Sequence, residues 1–160
     1  MTKASKKRRL YFPVIFIIIV LTILTPYLTH LHTSALFSKS DKIIIRYCDS
    51  YNTENTELIN QQKEITITDE NDIKTLKRIC SLQSITDIAT IFDVPACFFD
   101  TVEIVFINGK QQVIVCPSPD GCNNILIKTE NGDEYYRSLS KTEMKTLIEI
   151  LENNGIIWNW

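Results

Sequence analysis

The longest apolar segment of the chain runs from Leu10 to Leu31 and contains no Asp, Glu, Lys or Arg. About 20 apolar residues in a helix are enough to cross the hydrocarbon core of a bilayer, which is about 30 Å thick. The segment therefore predicts a transmembrane signal anchor over residues 10–31. Five basic residues precede it, namely Lys3, Lys6, Lys7, Arg8 and Arg9.

This charge asymmetry predicts the orientation of the anchor. Basic residues stay on the cytoplasmic side of a span, and the next ones after the segment are Lys39 and Lys42. We therefore expect a cytoplasmic segment over residues 1–9, a linker over residues 32–41 and an extracytoplasmic domain over residues 42–160. The alternative is a signal peptide cleaved near the small residues Thr33-Ser34-Ala35, which would release a secreted or periplasmic protein.

The domain begins with two predicted strands and a helix. Lys42–Cys48 is rich in β-branched residues, and Lys63–Thr68 alternates polar with apolar positions, as strands do. Thr68 or Asp69 is a suitable N-cap for a helix whose Ile73, Leu76 and Cys80 recur at helical spacing. The polar stretch between the two strands, up to Gln62, predicts a long loop.

The middle of the domain predicts two β-hairpins. Val102–Ile107 and Lys110–Cys116 flank Asn108-Gly109, a pair that favours a two-residue type I′ turn. In that register Ile107 faces Lys110, and Cys116 faces Thr101. Further along the chain, Asn124–Glu130 and Asp133–Arg137 flank a second Asn-Gly pair, Asn131-Gly132.

The last helix has a clear start and stop. Ser140 and Glu143 are spaced as in a capping box, Gly155 is a suitable C-terminal stop, and an apolar stripe lies between them at Met144, Leu147, Ile148 and Leu151. The order of elements in the domain is β-β-α-β-β-β-β-α. Because consecutive hairpins build an antiparallel sheet, the fold class is α+β, with helices packed on one face of the sheet.

Charge and histidine content exclude several functions. The chain has 17 basic and 19 acidic residues; without the five basic residues before the span, the remainder has a net charge of −7. A domain of that charge disfavours nucleic-acid binding. Both histidines, His30 and His32, lie at the membrane junction, so the domain has no His-dependent triad or His-rich metal site.

These absences favour a protein without catalysis, cofactor or metal. The chain also has no P-loop and no GxGxxG motif. The alternative is an envelope enzyme or thiol–metal protein. It would use the cysteines or six carboxylates that we expect around the sheet ends, namely Asp100, Glu103, Asp120, Glu130, Asp133 and Glu134.

The five cysteines are Cys48, Cys80, Cys97, Cys116 and Cys122. An extracytoplasmic compartment permits disulfides, and an odd number leaves at least one thiol unpaired. The last three come together in the hairpin region, where either Cys97–Cys122 or Cys116–Cys122 would tie the turn-rich loop to the sheet. Buried reduced thiols and a thiolate metal or redox centre are the alternatives. Cys48 and Cys80 are predicted to be core residues of a strand and a helix, with a disulfide between them as the alternative.

The function that these patterns favour is protein binding at a membrane surface. The predicted contact residues are in the turn-rich loop and the aromatic tail, since loops on a rigid scaffold often carry function and Trp is enriched at interface hot spots. They are Pro117, Ser118, Pro119, Asp120, Gly121, Trp158 and Trp160. The expected partners are the membrane, through residues 10–31, and another protein.

Overall fold

The computed structural model describes residues 3–48, 62–81, 95–97, 99, 102–118 and 120–156. The chain divides into two compact units, Met1–His32 and Thr33–Trp160. The predicted polar loop before Gln62 and the aromatic tail with Trp158 and Trp160 lie outside the described residues.

The described elements follow the order that the sequence predicts. They are α1 Lys3–Lys39, β1 Lys42–Cys48, β2 Gln62–Ile67, α2 Glu70–Cys80, β3 Val102–Asn108, β4 Gln111–Pro117, β5 Asn124–Thr129, β6 Glu134–Ser138 and α3 Lys141–Asn153. The six strands form one sheet in the order β2-β1-β3-β4-β5-β6, and every neighbouring pair is antiparallel. The prediction of an α+β domain with an antiparallel sheet is confirmed.

The described part of the unit Met1–His32 is the first part of α1. Those large apolar side chains between Val14 and Leu31 that the structure describes are 40–68% exposed. Among the residues that the structure describes, however, no helix has both the length and the apolar character that crossing a bilayer requires. The transmembrane helix predicted over residues 10–31 is therefore not supported by the structure.

The second unit begins inside α1. Residues 33–39, which the sequence analysis assigns to a linker, are helical and contribute to the core of this unit. Phe37 is 1% exposed and packs edge-on against Phe106, with the ring centroids 4.8 Å apart. The Lys77 Nζ donates to the Ser40 carbonyl over 2.6 Å, which binds α2 to the end of α1.

The main core lies between one face of the sheet and the helices. Alternate positions of the central strands point into it because successive side chains of a strand point to opposite faces. Ile45, Ile104, Val115, Ile127 and Tyr135 form one such row across five strands. The helices add Leu76, Ile79, Cys80, Met144, Leu147, Ile150 and Leu151.

A second, smaller cluster lies on the opposite face of the sheet. Cys116 pairs with Leu126, and Leu126 pairs with Tyr136. Phe99 packs on Tyr136 with a centroid separation of 5.5 Å, and Cys97 packs against the same cluster. The segment that contains Cys97 and Phe99 therefore covers the sheet face that α2 and α3 leave open.

The helix boundaries follow the local signals. Asp69 caps α2 by accepting from the Asn71 and Asp72 amides, and Ser140 and Glu143 form the predicted capping box of α3. At the other end of α3, Gly155 has a φ of 85°, and the Ile156 amide donates to the Leu151 carbonyl over 3.0 Å. That bond is typical of a Schellman stop, which needs a residue that tolerates positive φ.

The first hairpin is shifted from its predicted register. Asn108 pairs with Gln111, and Ile107 pairs with Gln112, so Gly109 and Lys110 are the central turn residues. Gly109 has a φ of 60°, whereas no other residue type among those described has a positive φ. A positive φ at the first central residue alone is typical of a type II′ turn, not a type I′ turn. The predicted pairing of Ile107 with Lys110 is therefore wrong, and the predicted partner of Cys116, Thr101, lies outside the described residues.

The second hairpin has a longer loop than a bare Asn-Gly turn. Lys128 pairs with Glu134, and the Gly132 amide donates to the Thr129 carbonyl over 3.0 Å. Gly132 has a φ of 84°. A turn followed by a residue in the left-handed region is the usual three-residue hairpin connection. Both Asn-Gly pairs thus mark hairpins, but in each only the glycine takes the positive φ.

Arg137 joins three elements inside the core. This residue of β6 is 5% exposed. Its Nη1 donates to the Ile79 carbonyl and, over 2.6 Å, to the Ser81 carbonyl, at the C-terminal end of α2. Its Nη2 lies 3.8 Å from the Glu143 Oε1 in the capping box of α3. The guanidinium therefore satisfies carbonyls that a helix end leaves without an intrahelical donor.

We expect Arg137→Met to lower the free energy of unfolding by about 3 kcal/mol, because it leaves buried carbonyls and a carboxylate without their cation. Lys145→Met is the matched control. Lys145 is 78% exposed and lies 3.5 Å from Glu149, so its loss should change stability by less than about 0.5 kcal/mol. Urea unfolding of the full chain, followed by circular dichroism, measures both. Equal effects of the two substitutions would contradict this role of Arg137.

Candidate functional site

The candidate site is the loop between β4 and β5, where a disulfide joins Cys97 to Cys122. Their Cα atoms are 6.8 Å apart, and 25 positions separate them in the sequence. The bridge connects the segment over the second apolar cluster to the end of the β4–β5 loop, two positions before β5 begins. The structure confirms a disulfide among the three candidate cysteines and assigns it to one of the two expected pairs.

The remaining described cysteines are buried. Cys116 is 1% exposed in the second cluster, and Cys80 is 1% exposed at the end of α2. Burial raises the pKa of the Cys80 thiol to about 12, although the nearby Arg137 charge opposes the shift. Because only the thiolate is nucleophilic, Cys80 is an inert core residue, as the sequence predicts. The side chain of Cys48 lies outside the described part of the chain.

Asp120 brings a carboxylate next to the disulfide. Its Oδ1 lies 2.6 Å from the Cys122 Sγ and accepts from the Cys122 backbone amide over 3.2 Å. The Ser118 hydroxyl also donates to this oxygen and lies 3.2 Å from the same sulfur. Ser118 is fully buried, so a buried hydroxyl orients an exposed carboxylate.

Asn124 contacts the other sulfur of the disulfide, that of Cys97. Its Nδ2 lies 3.3 Å from the Cys97 Sγ and donates to it. Asn124 and Ser138 are cross-strand partners of β5 and β6, and the Ser138 hydroxyl donates to the Asn124 Oδ1 over 2.6 Å. That bond orients the amide so that its nitrogen faces the Cys97 sulfur. Asn124 is not predicted from the sequence, where its only signal is its position two residues after Cys122.

These groups form a compact set of metal-binding donors. The two cysteine sulfurs and a carboxylate oxygen of Asp120 all lie within 4.8 Å of one another. Thiolate and carboxylate are both zinc ligands. As a disulfide the two sulfurs are not available as thiolates, so the set can bind a metal only in its reduced form.

The structure describes most of the predicted contact loop. Pro117 ends β4 and is buried, opposite Ile125, whereas Asp120 and Gly121 are exposed. Gly121 has a φ of 79°, which a residue with a side chain rarely adopts. Pro119 lies outside the described residues, as do Trp158 and Trp160. The exposed part of the described loop is therefore small and acidic.

Two shallow grooves on the helices are unrelated to the predicted carboxylates. A groove of about 470 Å³ lies along α3 and is lined by Lys141, Lys145, Ile148, Glu149 and Glu152, among others. A second, of about 430 Å³, lies along α2 and is lined by Ile73, Lys74 and Lys77, among others. Neither contains Glu103, Asp120, Glu130, Asp133 or Glu134, and Asp100 is outside the described residues.

Comparisons of the chain with protein families, with curated proteins and with solved structures find no match.

We expect loss of the bridge to destabilise the second unit. Closing a loop across 25 positions restricts the unfolded chain by about 3 kcal/mol, so Cys97→Ala, Cys122→Ala and the double variant should lose similar amounts. Urea unfolding measures the loss, and digestion without reductant should recover peptides with Cys97 and Cys122 linked. A peptide pair linked through Cys116 would contradict the assignment, as would additive losses in the double variant.

Proposed function

We propose that this chain is a single-pass membrane protein whose extracytoplasmic domain binds a protein partner through the loop Pro117–Gly121 and catalyses no reaction. The observation that carries the proposal is the Cys97–Cys122 disulfide. Such bridges persist mainly in oxidising compartments, and this one holds the base of an exposed loop. A loop fixed in advance loses less conformational entropy when it binds.

The loop also has an internal network that restricts its conformation. Ser118 and the Cys122 amide both donate to the carboxylate of Asp120, and the Ser118 amide donates to the Asn124 carbonyl over 3.0 Å. Since Asp120 and Gly121 are exposed, the loop presents a negative charge in a defined position. Together with the net charge of −7 after residue 9, this favours a partner with a basic or polar surface.

Membrane attachment through residues 10–31 is supported by the sequence and by the exposure of its side chains. A row of apolar side chains with exposures of 40–68% is unfavourable in water and stable in lipid. The Thr22 and Thr25 hydroxyls donate to the Ile18 and Leu21 carbonyls, each over 2.8 Å. These polar groups therefore need no water.

The proposal of a binding domain without catalysis is favoured by the scattered positions of the described carboxylates. Catalytic sites usually combine a concave pocket with several converging polar groups. The carboxylates Glu130, Asp133 and Glu134 are exposed around the second hairpin, where solvated charges are ordinary. Asp120 is part of the loop network and lines neither of the two grooves.

The orientation can be tested with one introduced cysteine at a time, at position 131 or position 5, in a chain that also carries Cys48→Ser. The other native cysteines are the disulfide pair Cys97–Cys122 and the buried thiols of Cys80 and Cys116. A membrane-impermeant maleimide should label Asn131→Cys in intact cells, because Asn131 is exposed in the domain. The same reagent should label Ser5→Cys only after the membrane is permeabilised. Labelling of Ser5→Cys in intact cells, with Asn131→Cys labelled only after permeabilisation, would reverse the proposed topology. Labelling of both positions only in permeabilised cells would place both ends of the chain inside and overturn the spanning segment. Recovery of the chain in the medium with a new N-terminus near Leu36 would show cleavage instead of anchoring.

The partner can be tested with a photoreactive amino acid at position 119, in the loop, and at position 131, in the second hairpin, as a matched control. Irradiation of intact cells should give a discrete covalent adduct in the membrane fraction from position 119 only. Cys122→Ala should reduce the yield of that adduct at least several-fold, because the loop loses its fixed conformation. Equal adducts from both positions, or none from position 119, would overturn the proposal of a binding loop.

A further inference from the structure

The donors around the disulfide are arranged to hold a metal ion once the disulfide is opened. In the disulfide the Cys122 sulfur carries no hydrogen, so the carboxylate of Asp120, 2.6 Å away, gains no hydrogen bond from it. After reduction the same carboxylate lies beside two thiols. Two sulfurs and one oxygen within 4.8 Å of one another are close enough for one cation to bind all three.

We propose that the reduced chain binds one Zn²⁺ through the sulfurs of Cys97 and Cys122 and the carboxylate of Asp120, and that the disulfide and the metal exclude each other. The site does not depend on the binding partner proposed above, since metal binding is measured on the chain alone. Zn²⁺ accepts thiolate and carboxylate in one tetrahedral site, and three protein ligands leave the fourth position for water.

The chemistry of the exchange balances with a dithiol as the reductant. The dithiol transfers two electrons and two protons to the bridge, which breaks the S–S bond and leaves two cysteine thiols and an oxidised dithiol. Zn²⁺ then displaces one proton from each thiol to solvent. A tetrahedral zinc site requires the two sulfurs to separate to about 3.8 Å, which opening of the covalent bond permits.

The neighbouring groups supply the outer hydrogen bonds that metal ligands require. Asn124 donates to the Cys97 sulfur over 3.3 Å, which favours the thiolate form, and Ser138 holds that amide in place. Ser118, fully buried, donates to the ligand oxygen of Asp120. Such partners orient ligands, and their loss typically weakens metal binding about 10- to 100-fold.

The site is also selective by composition and accessible from solvent. Two thiolates favour Zn²⁺ over the hard cations Ca²⁺ and Mg²⁺, which prefer oxygen ligands. Asp120 is exposed, and both cysteines are half-buried, so an ion can reach the donors without unfolding of the domain. The buried thiols of Cys80 and Cys116 lie in the two apolar clusters instead.

The test is metal binding to the full-length chain in detergent micelles, with and without prior reduction by a dithiol that is then removed. Co²⁺ is the spectroscopic probe, because thiolate ligands give it a charge-transfer band, and Zn²⁺ is then titrated in competition. The reduced chain should bind one ion per chain, at least about 100-fold more tightly than the oxidised chain, since in the oxidised chain the sulfurs of Cys97 and Cys122 are bonded to each other and cannot act as thiolate ligands.

Matched variants identify the ligands. Asp120→Asn should weaken binding by the reduced chain at least about tenfold, on the scale that ligand-shell changes produce, whereas Asp133→Asn should have no effect. Cys97→Ala and Cys122→Ala should each remove the charge-transfer band of two-thiolate binding, and Cys116→Ala should retain it. Asp120 is exposed, so its variant is informative even if a cysteine variant unfolds.

Three results would overturn the proposal of a zinc site. They are equal affinities of the oxidised and reduced chains, wild-type affinity in Asp120→Asn, and a band that persists without Cys97 but disappears without Cys116.

Discussion

The guanidinium of Arg137 is the polar group on which the arrangement of the core depends. It lies in β6, where strand alternation directs it into the helix-covered face beside Ile125. There it donates hydrogen bonds to the carbonyls at the end of α2 and forms an ion pair with Glu143 at the start of α3. These contacts offset the cost of burying the cation. Because α2 ends and α3 begins at the guanidinium of Arg137, the positions of these two helices on the sheet are linked.

The sheet separates two environments with different chemistry. The helix-covered face holds the large apolar core, in which Cys80 stays a neutral thiol because burial raises its pKa to about 12. The opposite face holds a small cluster, at whose border Cys97 and Cys122 form a disulfide that is half-buried and surrounded by polar groups. The sheet thus separates the disulfide from the buried thiol of Cys80, whereas the buried thiol of Cys116 lies on the same face as the disulfide.

The loop that follows β4 has a restricted conformation and also contains side chains of the types that bind metals. The proposed binding function uses its rigidity, since the disulfide and the hydrogen bonds to Asp120 restrict its conformation. The inferred zinc site uses the same atoms in the reduced state, in which the sulfurs become ligands. Reduction followed by zinc binding would therefore replace the disulfide, a covalent constraint on the loop, with metal–ligand bonds. It would also withdraw the carboxylate of Asp120 from the exposed surface of the loop.

Local signals in the sequence determined the order of the elements, the caps at Asp69 and Ser140, the stop at Gly155 and the location of both hairpins, because each depends on residues a few positions apart. They also indicated Cys97–Cys122, as one of two pairs. The tertiary structure alone decided the register of the first hairpin, since Asn108-Gly109 and Gly109-Lys110 are both acceptable turns and cross-strand packing selects between them. It also decided that Arg137 is buried and that Asn124 faces a sulfur, because the partners of both are distant in sequence and adjacent only in the folded sheet.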